Sequence, residues 1–328
     1  MIKGLVSLIT PAYNTGNLIS RLLDSVLKQD YPTIEMYVID DGSTDNTKSV
    51  VESFIPDFDK KGYCLSYLYQ DNQGQSVAIN KGLKLVKGEF LAWPDSDDFY
   101  ANTHSISTLV QALRNSSGDT CLVQCQYLKV NEDTLLPVET IRSIFSHDVF
   151  SDCLYGNFNF CPGGYIAKIS DIDKFIKDRE IYTEKNAGQN WQILLPLLYN
   201  KKAISLDDVL YIVVERKTSH SRGQFKTYEQ QIQKYVTYKN TLLETLKRIQ
   251  EMPDAEKTLY SKRIETKYLS LFFELSLRNI KIKESKEYFS LMRKEGNFTR
   301  ILITIITKVT KFIFRKITNV LFIRKLNA

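Results

Sequence analysis

Through about the first 130 residues, short apolar runs of strand length alternate with stretches whose apolar residues recur at helical spacing. This alternation confines the chain to few folds. Leu5–Thr10, Glu35–Asp40, Leu65–Tyr69, Glu89–Trp93 and Cys121–Val130 read as strands. Leu18–Lys28, Thr44–Phe54, Ser76–Val86 and Thr103–Arg114 read as the helices between them. Pro11 is expected to end the first strand, Ser43 to cap the second helix, and Asp45 to complement that helix's dipole in its first turn. The order predicts an α/β fold with a mostly parallel sheet and helices on both faces. In such sheets ligands sit beyond the carboxyl ends of the strands.

The polar motifs fall at those ends. Pro11-Ala12-Tyr13-Asn14 follows the first strand, Asp40-Asp41-Gly42-Ser43 the second, and Asp95-Ser96-Asp97-Asp98 the fourth. An acidic loop after a strand is often a solvated turn or a cap, but here two acidic strand ends share one predicted edge. Carboxylates two residues apart repel unless a cation or a proton sits between them. Their hard oxygens suit Mg²⁺ or Mn²⁺, and such an ion commonly has a phosphate as its second anionic client. The chain has neither GxxxxGK[ST] nor a GxGxxG after the first strand. A divalent ion bridging carboxylates to a diphosphate works without either.

TPAYN (Thr10–Asn14), VIDDGSTDNT (Val38–Thr47), NQGQSVAINKGL (Asn72–Leu83) and DSDD (Asp95–Asp98) occur in this order. In order and spacing they resemble the family 2 glycosyltransferases, whose nucleotide-sugar-binding domain has the Rossmann-like GT-A fold. The resemblance covers about the first 100 residues strongly and reaches to about Arg222 more weakly. It implies an inverting transferase that uses a nucleotide-sugar donor, UDP-linked, with Mn²⁺ or Mg²⁺ on the diphosphate. It is closest in kind to bacterial enzymes that build capsule, cell-wall or exopolysaccharide units, and it implies a saccharide or lipid-linked saccharide acceptor.

By the same resemblance, Pro11 and Tyr13 line the nucleobase pocket and Asp41 accepts a hydrogen bond from uracil or ribose. Gly74, Asn80 and Lys81 belong to the segment closing over the nucleotide and sugar. Asp95 contacts ribose or sugar, Asp97 ligates the metal, and Asp98 orients the acceptor or caps its turn. Tyr13 as plain packing and Lys81 as a solvated helix residue remain alternatives.

Inverting transfer needs a base for the acceptor hydroxyl. Relatives carry Glu-Asp before a Trp here; this chain reads Gln189-Asn190-Trp191. An amide cannot take the proton, so Asn190 can only hydrogen-bond the hydroxyl. Glu184 upstream, Asp98, or a shifted alignment are the competing explanations. CPGGYIAK (Cys161–Lys168) offers a glycine pair that either faces the acceptor or forms a simple turn. In ERKTSHSRG (Glu215–Gly223), His220 is a candidate second metal ligand beside Asp97, and Arg222 a candidate counter-charge for the leaving UDP.

Beyond Gly223 the pattern becomes helical, over Tyr228–Met252, Lys257–Asn279 and Glu284–Glu295. The expected organisation is a catalytic domain over 1–222, with a nucleotide-binding half over about 1–100 and an acceptor half over about 101–222. A helical C-terminal region follows over 223–295, and a basic amphipathic tail over 296–328. The tail holds Arg300, Lys308, Lys311, Arg315, Lys316, Arg324 and Lys325 and no acid, so the rest of the chain is close to neutral despite a net charge of +6. That makes nucleic acid a poor partner and points the tail at a membrane surface, a packed helix or self-association being the alternatives. The N-terminal apolar run is too short for a signal peptide. Five scattered cysteines argue against a disulfide framework. The expected place is the cytoplasm, peripheral at the inner face of the cell membrane. The rival readings are a metal-dependent nucleotidyltransferase and a catalytically degenerate sugar-nucleotide-binding or scaffold protein of a polysaccharide assembly.

Overall fold

The structure is a computed structural model, and it describes residues 1–159, 161–185, 188–216, 225–294 and 306. His220, Arg222 and, apart from residue 306, the 296–328 tail lie outside the described residues.

The chain opens with β1 (Ile2–Ala12), α1 (Ile19–Leu27), β2 (Ile34–Asp41), α2 (Thr47–Lys61), β3 (Cys64–Gln70), α3 (Gln75–Leu85) and β4 (Gly88–Ala92). It continues through β5 (Phe99–Tyr100), α4 (Ser105–Arg114), β6 (Thr120–Asn131), β7 (Pro137–Ile141), α5 (Val149–Tyr155), β8 (Tyr165–Lys168), α6 (Ile169–Phe175), α7 (Asn190–Leu198) and β9 (Lys202–Glu215). The long helices α8 (Tyr228–Arg248), α9 (Asp254–Arg278) and α10 (Ile282–Lys294) follow.

Among the described residues one sheet runs in the order β3-β2-β1-β4-β8-β6-β9-β5, with β7 beside β6. β1, β2, β3 and β4 pair in parallel, as do β6 and β9. β8 joins the two groups antiparallel to both β4 and β6, so those six strands share one direction. β1 and β2 read as continuous apolar runs because both faces are covered: Val6, Leu8, Ile9, Met36, Val38 and Ile39 are buried. α3 lies close over β1, where a Cβ on Gly82 would stand 2.4 Å from Ile9 Cγ2.

Two local expectations differ from the structure. Pro11 lies inside β1, paired with Ile39. The β1–β4 pairing ends at Leu8, so the last residues of β1 are open on one side, where a residue without an N–H is tolerated. α2 starts at Thr47, later than Ser43 would place it. The Ser43 hydroxyl instead accepts from Asn14 N–H at 2.8 Å, and Asp45 accepts from Gly16 N–H at 3.0 Å and Thr47 N–H at 2.9 Å. Ser43 thus fastens two strand-end loops together instead of capping the helix, and Asp45 does both, holding Gly16 and the first N–H of α2.

By packing, the residues form two units: Met1–Gly223 with Asn240–Asp254, and Gln224–Lys239 with Ala255–Ala328. In the second unit, Tyr235, Tyr268, Phe272 and Tyr288 form a chain of tilted and edge-on ring contacts. Phe273 and Met292 make a small apolar core there. No helix among the described residues is long and apolar enough to cross a membrane.

Candidate active site

The first three strand ends are stitched into one rim. Asn14, held at φ 51°, accepts from Thr44 N–H at 2.8 Å. Gly42 has φ 86°, and a Cβ there would lie 2.8 Å from Asn72 N, so both conformation and space demand glycine. Asn72 donates to the Asp41 carbonyl at 2.9 Å. The buried Asp41 carboxylate takes three further bonds, from Gln70 Nε2 (2.8 Å), Gln73 N–H (2.9 Å) and Gly74 N–H (2.8 Å). A carboxylate has about four acceptor sites, so one stays available for a ligand. Asp40 accepts from Ser43 N–H and Tyr67 OH, both at 2.7 Å; burial and this carboxylate raise the Tyr67 pKa. Pro11 is buried beneath the rim, while Tyr13 keeps 43% of its surface exposed.

Gly74 and Gln75 carry this rim to the acidic loop. Gly74 N–H bonds Asp41, and Gln75 Nε2 donates to Asp95 Oδ1 at 3.1 Å. Asp41 and Asp95 are thus joined through adjacent residues of one turn. Gly74 sits at φ 98°, and a Cβ there would be 2.8 Å from the Lys185 carbonyl oxygen. The segment 181–185 runs beside α3: Asn80 donates to Ile181 O at 3.0 Å and accepts from Ile181 N–H at 2.9 Å, and Glu184 N–H donates to Ser76 Oγ at 3.2 Å. Both ends of the Asn80 amide are spent on that backbone, so it holds the segment in place. Lys81 Nζ donates to Tyr69 O at 2.7 Å, at the end of β3.

Asp95 keeps part of its surface open, yet burial and then the Asp97 charge push its pKa up to about 7, against hydrogen bonds from Gln189 and Gln75. Asp98 is buried and accepts from Val214 N–H at 2.8 Å. Burial, Asp97 and Asp95 raise its pKa well above the ordinary carboxylate range. Asp98 therefore anchors β9 beside β5, which pairs Phe99 with Ile212 and Tyr100 with Tyr211. Asp97 Oδ2 meets Arg216 Nη1 at 3.1 Å, and Arg216 Nε lies 3.7 Å from Glu132.

Arg216 escaped the sequence reading. Its available signal was its place directly after β9, but the partner it meets there is 119 residues away in the chain.

The buried Gln189 stands just before α7, 1% exposed, and its Oε1 has no partner among the described residues. Asn190 Oδ1 accepts from Trp93 Nε1 at 3.3 Å, and Trp191 Nε1 donates to Cys153 O at 3.1 Å. Gly163 and Gly164 form a buried turn. A Cβ on Gly163 would lie 2.0 Å from the Tyr211 ring, which is fully buried. Gly163→Ala should therefore lower unfolding stability by about 2 kcal/mol, the usual cost of overpacking. Denaturant titration checks this, and an unchanged midpoint would show that Tyr211 can move aside.

Asp95 and Asp98, both with raised pKa values, crowd around Asp97, and Arg216 is the side chain cation bound there among the described residues. An all-oxygen, charge-excess cluster fits a hard divalent ion. No three acidic, histidine or cysteine side chains among the described residues converge to hold one by themselves.

The profile of the family described as Glycosyl transferase family 2 matches residues 7–174. A glycosyltransferase of Rickettsia typhi, RT0329, is 34% identical over 128 residues, covering 39% of this chain and 38% of its own length. Glycosyltransferase GlyG of Streptococcus pneumoniae is 34% identical over 116 residues, 35% of this chain and 37% of its own. The chain thus spans less than two fifths of these relatives. Among solved structures, S. aureus TarS 1-349 in complex with UDP-GlcNAc superposes with TM-score 0.62 at 20% identity, covering 88% of this chain and 80% of TarS 1-349. Mannosyltransferase PcManGT of Pyrobaculum calidifontis, in complex with GDP-Man and Mn²⁺, gives TM-score 0.54 at 17% identity, with 93% and 79% coverage.

Proposed function

This chain belongs to glycosyl transferase family 2 and has its GT-A type of fold, and from that premise we propose that it transfers a sugar, with inversion, from a UDP-linked donor to a saccharide or lipid-linked saccharide in bacterial surface polysaccharide synthesis. The observation that carries this reading is the Gly74–Gln75 turn, which joins the nucleotide-side Asp41 to the acidic Asp95.

Tyr13 presents its exposed ring for the base to stack on, above Pro11. Asp41 accepts from the base or ribose with its remaining acceptor site. Asp95 bonds a ribose or sugar hydroxyl, held in place by Gln75 and Gln189. Asn80, Gly74 and Lys81 act one layer back, by fixing the segment 181–185 and the end of β3. Asp97, with His220, which lies outside the described residues, is the proposed holder of Mn²⁺ or Mg²⁺, whose chemistry is to offset charge on the departing diphosphate. Arg216 keeps Asp97 aimed, and Arg222, also outside the described residues, is the proposed counter-charge for the leaving UDP.

For the proton, Asp98 is committed to Val214 and the amides cannot serve. Glu184 is the remaining base: its backbone is tied to Ser76, the neighbour of Gln75. It takes the acceptor hydroxyl's proton as that oxygen bonds to the anomeric carbon and the bond to the diphosphate breaks. Asn190 and the unpartnered Gln189 oxygen orient acceptor hydroxyls.

We assign catalysis to residues 1–222, with 223–295 as a helical region and 296–328 as a basic tail holding the enzyme at the cytoplasmic membrane face. The amide pair Gln189-Asn190 also favours a second reading, a donor-binding scaffold without turnover.

The test is a panel of nucleotide sugars assayed for Mn²⁺-dependent binding and hydrolysis. We expect Asp97→Asn to weaken Mn²⁺-dependent donor binding about tenfold, or about 1.4 kcal/mol. Unchanged binding would remove Asp97 as the metal holder, and binding without any turnover would favour the scaffold.

A further inference from the structure

The last residues of β1, β2 and β3 stand in one row. Asp41 pairs with Gln70 across β2 and β3, and Ala12 pairs with Asp40 across β1 and β2. Tyr13, 43% exposed, is the residue that follows Ala12 toward the same end. Residues paired in register share a face of the sheet, so the Asp41 and Gln70 side chains leave it on one side. Their contact agrees: Gln70 Nε2 donates to Asp41 Oδ1 at 2.8 Å. β3 ends the strand order, so among the described residues no further strand covers Gln70.

That contact fixes what Gln70 offers. A half-turn exchanges the nitrogen and oxygen of a side-chain amide, so a glutamine by itself presents either end. The Asp41 carboxylate accepts from Gln73 N–H at Oδ1 and from Gly74 N–H at Oδ2, so it presents lone pairs. The Gln70 nitrogen, not its oxygen, must therefore face Asp41. An amide nitrogen carries two N–H groups, and Asp41 takes one. The half-buried Gln70 side chain makes no other hydrogen bond among the described residues. The acceptor position left on Asp41 is at Oδ2, because Oδ1 already takes two bonds. A fixed donor and a fixed acceptor thus stand side by side.

We propose that Gln70 is a specificity residue that reads the nucleobase together with Asp41, and that the pair selects an N–H beside a carbonyl, the imide edge of uracil. The inference rests on the proposed nucleotide-side role of Asp41 and adds the group that chooses the base. Asp41 Oδ2 takes the N3–H of uracil, and the second Gln70 N–H donates to a carbonyl next to it. Cytosine and adenine carry the reverse pattern, a bare ring nitrogen beside an amino group. Against them, acceptor would face acceptor and donor would face donor. Turning the Gln70 amide over to suit them would set its oxygen against the Asp41 carboxylate, so the pair also rejects the wrong base. Guanine has the uracil pattern on a larger ring system, so cytosine is the comparison that isolates the pair.

The experiment measures binding of UDP, CDP, 2-thio-UDP and 4-thio-UDP to the full-length chain by calorimetry, with Mn²⁺ present throughout. The proteins are the parent and Gln70→Met, which keeps the side-chain length and loses both polar atoms. Sulfur accepts hydrogen bonds poorly, so the thio analogues delete the Gln70 contact from the ligand side. In the parent, UDP should bind about tenfold or more tighter than CDP. One of the two thio analogues should bind roughly fivefold weaker than UDP. In Gln70→Met that penalty should vanish, and UDP should weaken by the same factor. A glutamine that only steadies Asp41 gives another result: UDP weakens in the variant, but sulfur costs the same in both proteins, which overturns the inference. Equal binding of UDP and both thio analogues by the parent also overturns it, and that arm needs no variant to fold. A parent that binds no UDP at all overturns the donor reading itself, and this inference with it.

Discussion

Glu184→Gln is expected to slow sugar transfer by roughly 10²–10⁴-fold, the usual worth of a positioned base. The substitution removes the proposed proton acceptor and little else. The bonds that place Glu184 run through its backbone N–H and carbonyl to the Ser76 hydroxyl, and glutamine keeps both. Folding and donor affinity should therefore match the parent, which separates a catalytic loss from a structural one. The acidic-loop carboxylates have other work: Asp98 is bonded to the β9 backbone and Asp97 to Arg216.

A further substitution sharpens the test. Asn190 Oδ1 accepts from the Trp93 indole, and a carboxylate oxygen accepts the same bond. Asn190→Asp in the Glu184→Gln background should thus fold and recover about tenfold or more of the lost rate by restoring a base at the acceptor site. Single-turnover transfer with donor binding measured in parallel reads both variants. Full turnover in Glu184→Gln would sink the assignment of Glu184.

Asp41→Asn should cost about 2–4 kcal/mol of stability and roughly 100-fold in donor affinity. The native carboxylate accepts at Oδ1 from Gln70 and Gln73 and at Oδ2 from Gly74. An amide has only one accepting end. Whichever way it turns, its NH₂ faces a donor that is already buried, and that donor is left unsatisfied. The Gly74–Gln75 turn is where the damage spreads, because Gln75 holds Asp95 on the far side. Chemical denaturation and donor titration measure the two effects separately. A variant as stable as the parent but unable to bind donor would show that Asp41 serves the nucleotide directly and the turn only incidentally.

The strands and helices of the first half were readable because their causes are local. Leu22, Leu23 and Val26 recur at helical spacing and are buried on one face of α1. The run Ile34–Asp41 is apolar and sits in a fully covered strand. Even there, side chains that bond across loops shifted the ends. Ser43 and Asp45 look like helix-start residues in sequence, but they bind Asn14 and Gly16 some thirty positions earlier. Ile280, at φ 57° just after α9, was unreadable as well, since nothing in the residues around it announces a left-handed backbone.

The α/β architecture, the family and the ordered polar motifs at strand ends all follow from patterns a few residues wide, set by periodicity, turn chemistry and residue type. Which acids are left to bind a ligand does not. That depends on β9 returning beside β5, so that Val214 claims Asp98 and Arg216 claims Asp97 across more than a hundred residues of chain. It depends also on the segment 181–185 lying along α3, where it consumes Asn80 and ties the Glu184 backbone to Ser76. A hydrogen bond acts over about 3 Å, and only the folded chain brings such distant residues that close.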